Sequence, residues 1–112
     1  MSPLAIHAIL PAENPAHFGQ SLNVLLVVEN PTQEALVRRI RFWGSNGGPW
    51  RELLLSQPKS FPPESHVHLY FNLPADRFSS DFWGGEAPEE LSIAVCENAP
   101  TSPNAGILVF FE

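Results

Sequence analysis

The sequence predicts an all-β fold, an antiparallel two-sheet sandwich of the immunoglobulin-like kind with about seven strands. Three observations predict it. Twelve prolines and seven glycines punctuate a chain of 112 residues, so the uninterrupted segments are strand-sized. Within those segments apolar residues recur with a period of two and not with the 3.6-residue period of a helix. The apolar share, 44%, supplies a core, and a chain of this size buries roughly two thirds of the surface that its unfolded form exposes. Residues 1–112 therefore read as a single immunoglobulin-like domain that needs neither a disulfide nor a metal to fold.

Leu4 to Leu10 is the first strand, and Pro11 to Gly19 is a turn-rich connection. Ser21 to Glu29 alternates most clearly, with Leu22, Val24, Leu26 and Val28 on one face. Asn30-Pro31-Thr32 stops it. Val37 to Trp43 is the third strand, pointing Ile40 and Phe42 one way and Arg39, Arg41 and Trp43 the other. The glycine-rich run 44–49 turns the chain into a short fourth strand, Trp50 to Leu55, followed by a proline-flanked loop, Ser56 to Pro63. His66 to Leu73 sends Val67, Leu69, Phe71 and Leu73 inward and His66, His68 and Tyr70 outward. The aromatic stretch Ala75 to Glu90 carries a helical turn starting at Asp76, because Asp is a good N-cap. Leu91 to Cys96 and Ile107 to Phe111 are the last strands, joined by a loop that contains Pro100 and Pro103. A small closed barrel is the alternative arrangement of the same strands.

Composition excludes several classes of function. A formal charge of −6 and a pI near 5.1 disfavour nucleic acid and anionic membrane as partners. No apolar run approaches the ~20 residues of a membrane span. Met1 to Leu10 lacks a basic segment followed by an apolar one, and proline occupies the middle of Asn30-Pro31-Thr32, where it blocks glycosylation. A cytoplasmic address is the expectation.

Candidate chemistries are few. Four histidines and one cysteine equal the iron ligand count of superoxide reductases, which are small immunoglobulin-like proteins. Those proteins carry a histidine three residues after the cysteine, whereas Glu97, Asn98 and Ala99 follow Cys96 here. A blue-copper set fails for the same reason, since no second histidine or methionine follows the cysteine. His66 and His68 share a strand face, while His7 and His17 lie in a distant segment of the sequence. Neither a metal ion nor another cofactor is expected. Cys96 as a nucleophile would require a base such as His68 on a neighbouring strand. Glu89 and Glu90 point to opposite faces of a strand start and cannot act as an acid–base pair. Gly47-Gly48 and Gly84-Gly85 lack the context of a phosphate loop. Asn30-Pro31-Thr32 resembles the start of a loop in chagasin-like cysteine-protease inhibitors; Gln33-Glu34 replaces the Thr-Gly of that family, and no Arg-Pro-Trp follows later. The motif reads as a turn.

The informative positions are apolar residues on outward faces. Leu25 and Val27 point away from the second strand's core face, and the last strand is apolar on both faces. If the third, sixth and seventh strands share a sheet, then Arg39, Arg41, Trp43, Ala94, Leu108 and Phe110 form one outer face, apolar and basic on an acidic protein. Arginine and aromatic residues are enriched where proteins bind each other. The expected function is a non-enzymatic interaction module that uses Arg39, Arg41, Trp43, Leu108 and Phe110 to bind a protein partner or a second copy. The alternatives are a structural subunit of a viral particle and a metal- or thiol-dependent enzyme with His66, His68 and Cys96. The arrangement that would remove the docking face is the aromatic stretch 75–90 folding back over it.

Overall fold

The computed structural model describes residues 3–102 and 105–112; Pro103, assigned above to the last loop, lies outside the described residues. Seven strands form two antiparallel sheets. They are β1 (Ala5–Pro11), β2 (Leu22–Asn30), β3 (Leu36–Ser45), β4 (Arg51–Phe61), β5 (Ser65–Leu73), β6 (Glu90–Val95) and β7 (Ile107–Phe110). One sheet has the order β1-β2-β5 and the other the order β4-β3-β6-β7. The fold is thus a two-layer sandwich, and β3, β6 and β7 do share a sheet.

The core is the set that the alternation selects. Leu22, Val24, Leu26 and Val28 of β2 face Ile40 and Phe42 of β3, with Leu53, Phe71, Leu73, Leu91, Ile93 and Val109 filling the layer. Phe42 and Phe71 meet edge to face across the two sheets, their ring centroids 5.1 Å apart.

The fourth strand differs from its expected length. It runs on to Phe61, through the segment read as a loop. Two features permit this. β4 is an edge strand, where a proline without an N–H is tolerated, and Pro58 stands opposite Arg39 on it. The register then shifts between Arg39 and Arg41, and the Ser56 hydroxyl accepts the Ile40 N–H at 2.8 Å in place of a main-chain carbonyl. A side chain thereby carries the ladder across its irregularity.

Asn30 closes β2 with a buried polar knot. Its amide nitrogen donates to the carbonyls of Glu34 at 2.8 Å, Phe61 at 3.0 Å and Pro62 at 3.1 Å. Its oxygen accepts from the Thr32 N–H at 3.0 Å and the Thr32 hydroxyl at 2.7 Å. The Asn-Pro-Thr segment is therefore tied into the body of the fold, joining the end of β2 to the end of β4.

The aromatic stretch plugs one end of the sandwich. Its helical turn is a 3-10 helix over Ala75–Phe78, one residue earlier than expected, and Asp76 makes no cap bond. The turn is closed instead by the Arg77 N–H donating to the Pro74 carbonyl at 3.1 Å. Phe78 is fully buried against Phe111, which also stacks on Phe18. Trp83 donates its indole N–H to the Arg77 carbonyl at 2.8 Å, and Arg77 donates to the Leu53 carbonyl at 3.2 Å. Arg51 donates to the Phe82 carbonyl and lies over the Trp83 ring.

Candidate functional site

The four-stranded sheet presents the face that the sequence singled out. Trp43 stands opposite Ala94, Ser92 opposite Leu108, and Glu90 opposite Phe110; residues directly opposite in a ladder share a face. Arg39 and Arg41 fall on it by strand alternation. Leu108 and Phe110 keep 44% and 48% of their surface exposed. The aromatic plug lies at the end of the sandwich and leaves both residues open.

Two parts of the expected picture change. The face is not uniformly basic. Arg41 Nε lies 3.0 Å from a Glu52 carboxylate oxygen, off the line of its own N–H bond, so the contact is a charge pairing and not a directed hydrogen bond. Arg41 also donates to the Glu97 carbonyl at 2.9 Å and sits 5.7 Å over the Trp43 ring. Trp43 is half-buried, with its indole N–H donated to the Cys96 carbonyl at 3.1 Å. Arg41 and Trp43 thus form a held platform, whereas Arg39 remains exposed. Ala94 is buried and contributes no surface.

Two residues join the face that the sequence reading did not include. Val37 shares the parity of Arg39 and is 58% exposed, so alternation alone could have found it. Leu55 is exposed opposite Arg41; the register shifts along β4 hid its direction. The apolar surface lies in two parts, Val37 and Leu55 towards β4 and Leu108 and Phe110 on β7, with Ser92 and Trp43 between them.

The free edge of β7 is occupied. The Asn14 amide donates to the Leu108 carbonyl at 3.2 Å and its oxygen accepts the Phe110 N–H at 3.0 Å. Ala16 then bridges Phe111 in parallel, donating to the Phe110 carbonyl at 2.7 Å. With this edge paired, a protein arriving at β7 meets side chains on the face and not an open strand.

The residues assigned to a thiol or metal enzyme are not brought together. Cys96 follows β6 in the four-stranded sheet, whereas His66 and His68 point outward from β5 in the other sheet. Burial pushes the Cys96 thiol up from its ordinary pKa, the opposite of what an activated nucleophile needs. Cys96 lines a groove of about 310 Å³ between β1 and the β6–β7 side, with Ile6, Ile9 and Ile107 as apolar walls. The histidine that meets His66 is His7 from β1, and both contact Glu29.

Neither a protein-family model nor a curated protein sequence matches the chain. Among solved structures it is similar to part of the β-glucosidase EmGH1 from Erythrobacter marinus, at a TM-score of 0.71 and 16% identity, covering 97% of this chain and 15% of that one. It is also similar to part of a β-glucosidase from Listeria innocua in complex with isofagomine, at a TM-score of 0.64 and 15% identity, covering 96% of this chain and 16% of that one. At such identity the likeness establishes a shared sandwich fold and no activity. The chain spans about one sixth of the length of these enzymes. Among the described residues no helix is long and apolar enough to cross a membrane.

Proposed function

We propose that the chain is a non-enzymatic immunoglobulin-like interaction module. It works in the cytoplasm by docking a protein partner, or a second copy, on the outer face of the four-stranded sheet. The observation that carries this reading is the exposure of Leu108 and Phe110 on the same outer face as the Arg41–Trp43 platform, a face that the chain's own aromatic stretch leaves open. Burying ~500 Å² of apolar surface there is worth about 12 kcal/mol gross, most of it offset by association entropy and desolvation. The pre-bonded Arg41 and Trp43 lose little side-chain entropy on binding, and the exposed Arg39 selects an acidic rim. Sandwiches of this shape form a minor part of much longer β-glucosidase chains, which supports a module that serves a larger protein body.

Sedimentation velocity and affinity capture with Phe110→Asp and Leu108→Asp test the reading, with Tyr70→Asp on the opposite sheet as control. Each of the first two is expected to weaken the complex or dimer by at least ~10-fold, with unchanged circular dichroism. A wild-type monomer whose captured partners survive both substitutions would refute the docking face. Rings or lattices seen by electron microscopy would assign the chain to a particle instead.

A further inference from the structure

The outer face of the three-stranded sheet, on the opposite side of the sandwich, carries a second arrangement independent of the docking reading. We propose that His7, Glu29 and His66 form a binding site for a divalent transition-metal ion, Zn2+ in particular. The three residues come from three adjacent strands. Glu29 lies on the central strand β2, directly opposite His66 of β5. On its other side the β1–β2 register shifts between Ile6 and Ala8, so that His7 is the extra residue of the irregularity. A bulge re-aims a side chain, and here it brings the His7 imidazole to the same carboxylate.

The donor atoms converge. His7 Nε2 is 2.8 Å from Glu29 Oε1, and His66 Nε2 is 3.8 Å from Glu29 Oε2. One ligand atom from each residue lies within 4.8 Å of the other two. Ligands bound at ~2.0–2.1 Å around a tetrahedral ion sit roughly 3.3 Å from one another, within about 1.5 Å of the spacings the three residues already hold. The two imidazoles stand 5.2 Å apart by ring centroid, tilted by 33°, and both direct Nε2 towards the shared carboxylate.

The donor chemistry selects the ion. Two imidazoles and one carboxylate suit Zn2+, Ni2+ or Cu2+; Ca2+ and Mg2+ prefer sets made of oxygen. Three protein ligands leave one coordination position open. Because His7 and His66 retain 46% and 59% of their side-chain surface, that position faces solvent, where water or a ligand from another molecule can fill it. The other histidines form no comparable group among the described residues. The His17 ring lies 3.2 Å from a Glu13 carboxylate oxygen, and His68 lies two residues along β5, opposite Val27.

The test is titration of the full chain with ZnCl2 by calorimetry, with Co2+ as spectroscopic probe and histidine ring resonances followed by NMR. One equivalent is expected to bind, shifting His7 and His66 first. His7→Ala, His66→Ala and Glu29→Gln should each weaken binding by at least ~10-fold, with His17→Ala and His68→Ala unchanged. The substituted groups are partly exposed side chains on paired strands, and circular dichroism checks that each variant folds. No saturable binding at millimolar Zn2+, wild-type affinity in His7→Ala and His66→Ala, or first perturbation of His17 would each overturn the site.

Discussion

Replacing Asn30 tests whether one buried amide couples the ends of β2 and β4. Asn30 and Phe61 are both fully buried, so truncation to alanine leaves at least the Phe61 carbonyl without its partner. A stranded buried group costs about 1–3 kcal/mol, and each further lost bond about 1 kcal/mol net. The Glu34, Pro62 and Thr32 groups lie nearer solvent and are partly rescued by water. The sum is about 3–4 kcal/mol for Asn30→Ala. Asn30→Asp keeps the shape but turns an oxygen towards three carbonyls, so the buried carboxyl holds its proton. Its native pKa then exceeds the unfolded value of about 3.9. Relative to wild type, this variant should be most stable below that pH and lose about 1.4 kcal/mol per unit as pH rises towards the native pKa. Urea melts from pH 3 to pH 8 measure both; at a slope of ~1.5 kcal/mol per molar, Asn30→Ala should lower the midpoint by ~2–3 M. A loss below ~1 kcal/mol in Asn30→Ala, or a pH-independent difference in Asn30→Asp, would refute the coupling.

Gly106 has φ +81°, and a Cβ there would lie 2.0 Å from the Ile93 carbonyl oxygen; Gly106→Ala should lose about 3 kcal/mol or more in a urea melt. At Gly47, with φ +101° and open space around it, the same substitution meets only backbone strain and should cost about 1 kcal/mol. Equal losses at the two sites would contradict the assigned contact. Because burial raises the pKa of Cys96, alkylation by iodoacetamide at pH 8 should be slower in the native protein than in 8 M urea. A native rate equal to or above the unfolded one would show an activated thiol instead.

The two candidate surfaces lie on opposite sides of the sandwich, and the packing keeps them separate. Each sheet spends one face on the shared core, leaving one outer face apiece for recognition. The docking face belongs to β3, β4, β6 and β7, whereas the histidine–carboxylate group belongs to β1, β2 and β5. Substitution on one face therefore leaves the other in place.

Strand alternation was enough to choose the core and the outward parity of Arg39, Arg41, Trp43, His66, His68 and Tyr70, because side-chain direction in a strand has a period of two whatever its neighbours are. Proline and glycine marked the turns for an equally local reason, their restricted or permissive φ. What alternation leaves open is which strands lie side by side and where the ladder slips. Only the packed sheets decided that Ser56 carries β4 past its irregularity, that Asn30 reaches Phe61, and that a bulge sets His7 against Glu29 and His66. Likewise Glu52 on β4 neutralises Arg41 on β3, which no local pattern announces. Those outcomes depend on register between segments far apart in the chain, and register is selected by the burial of whole faces at once and not by any one residue's preference.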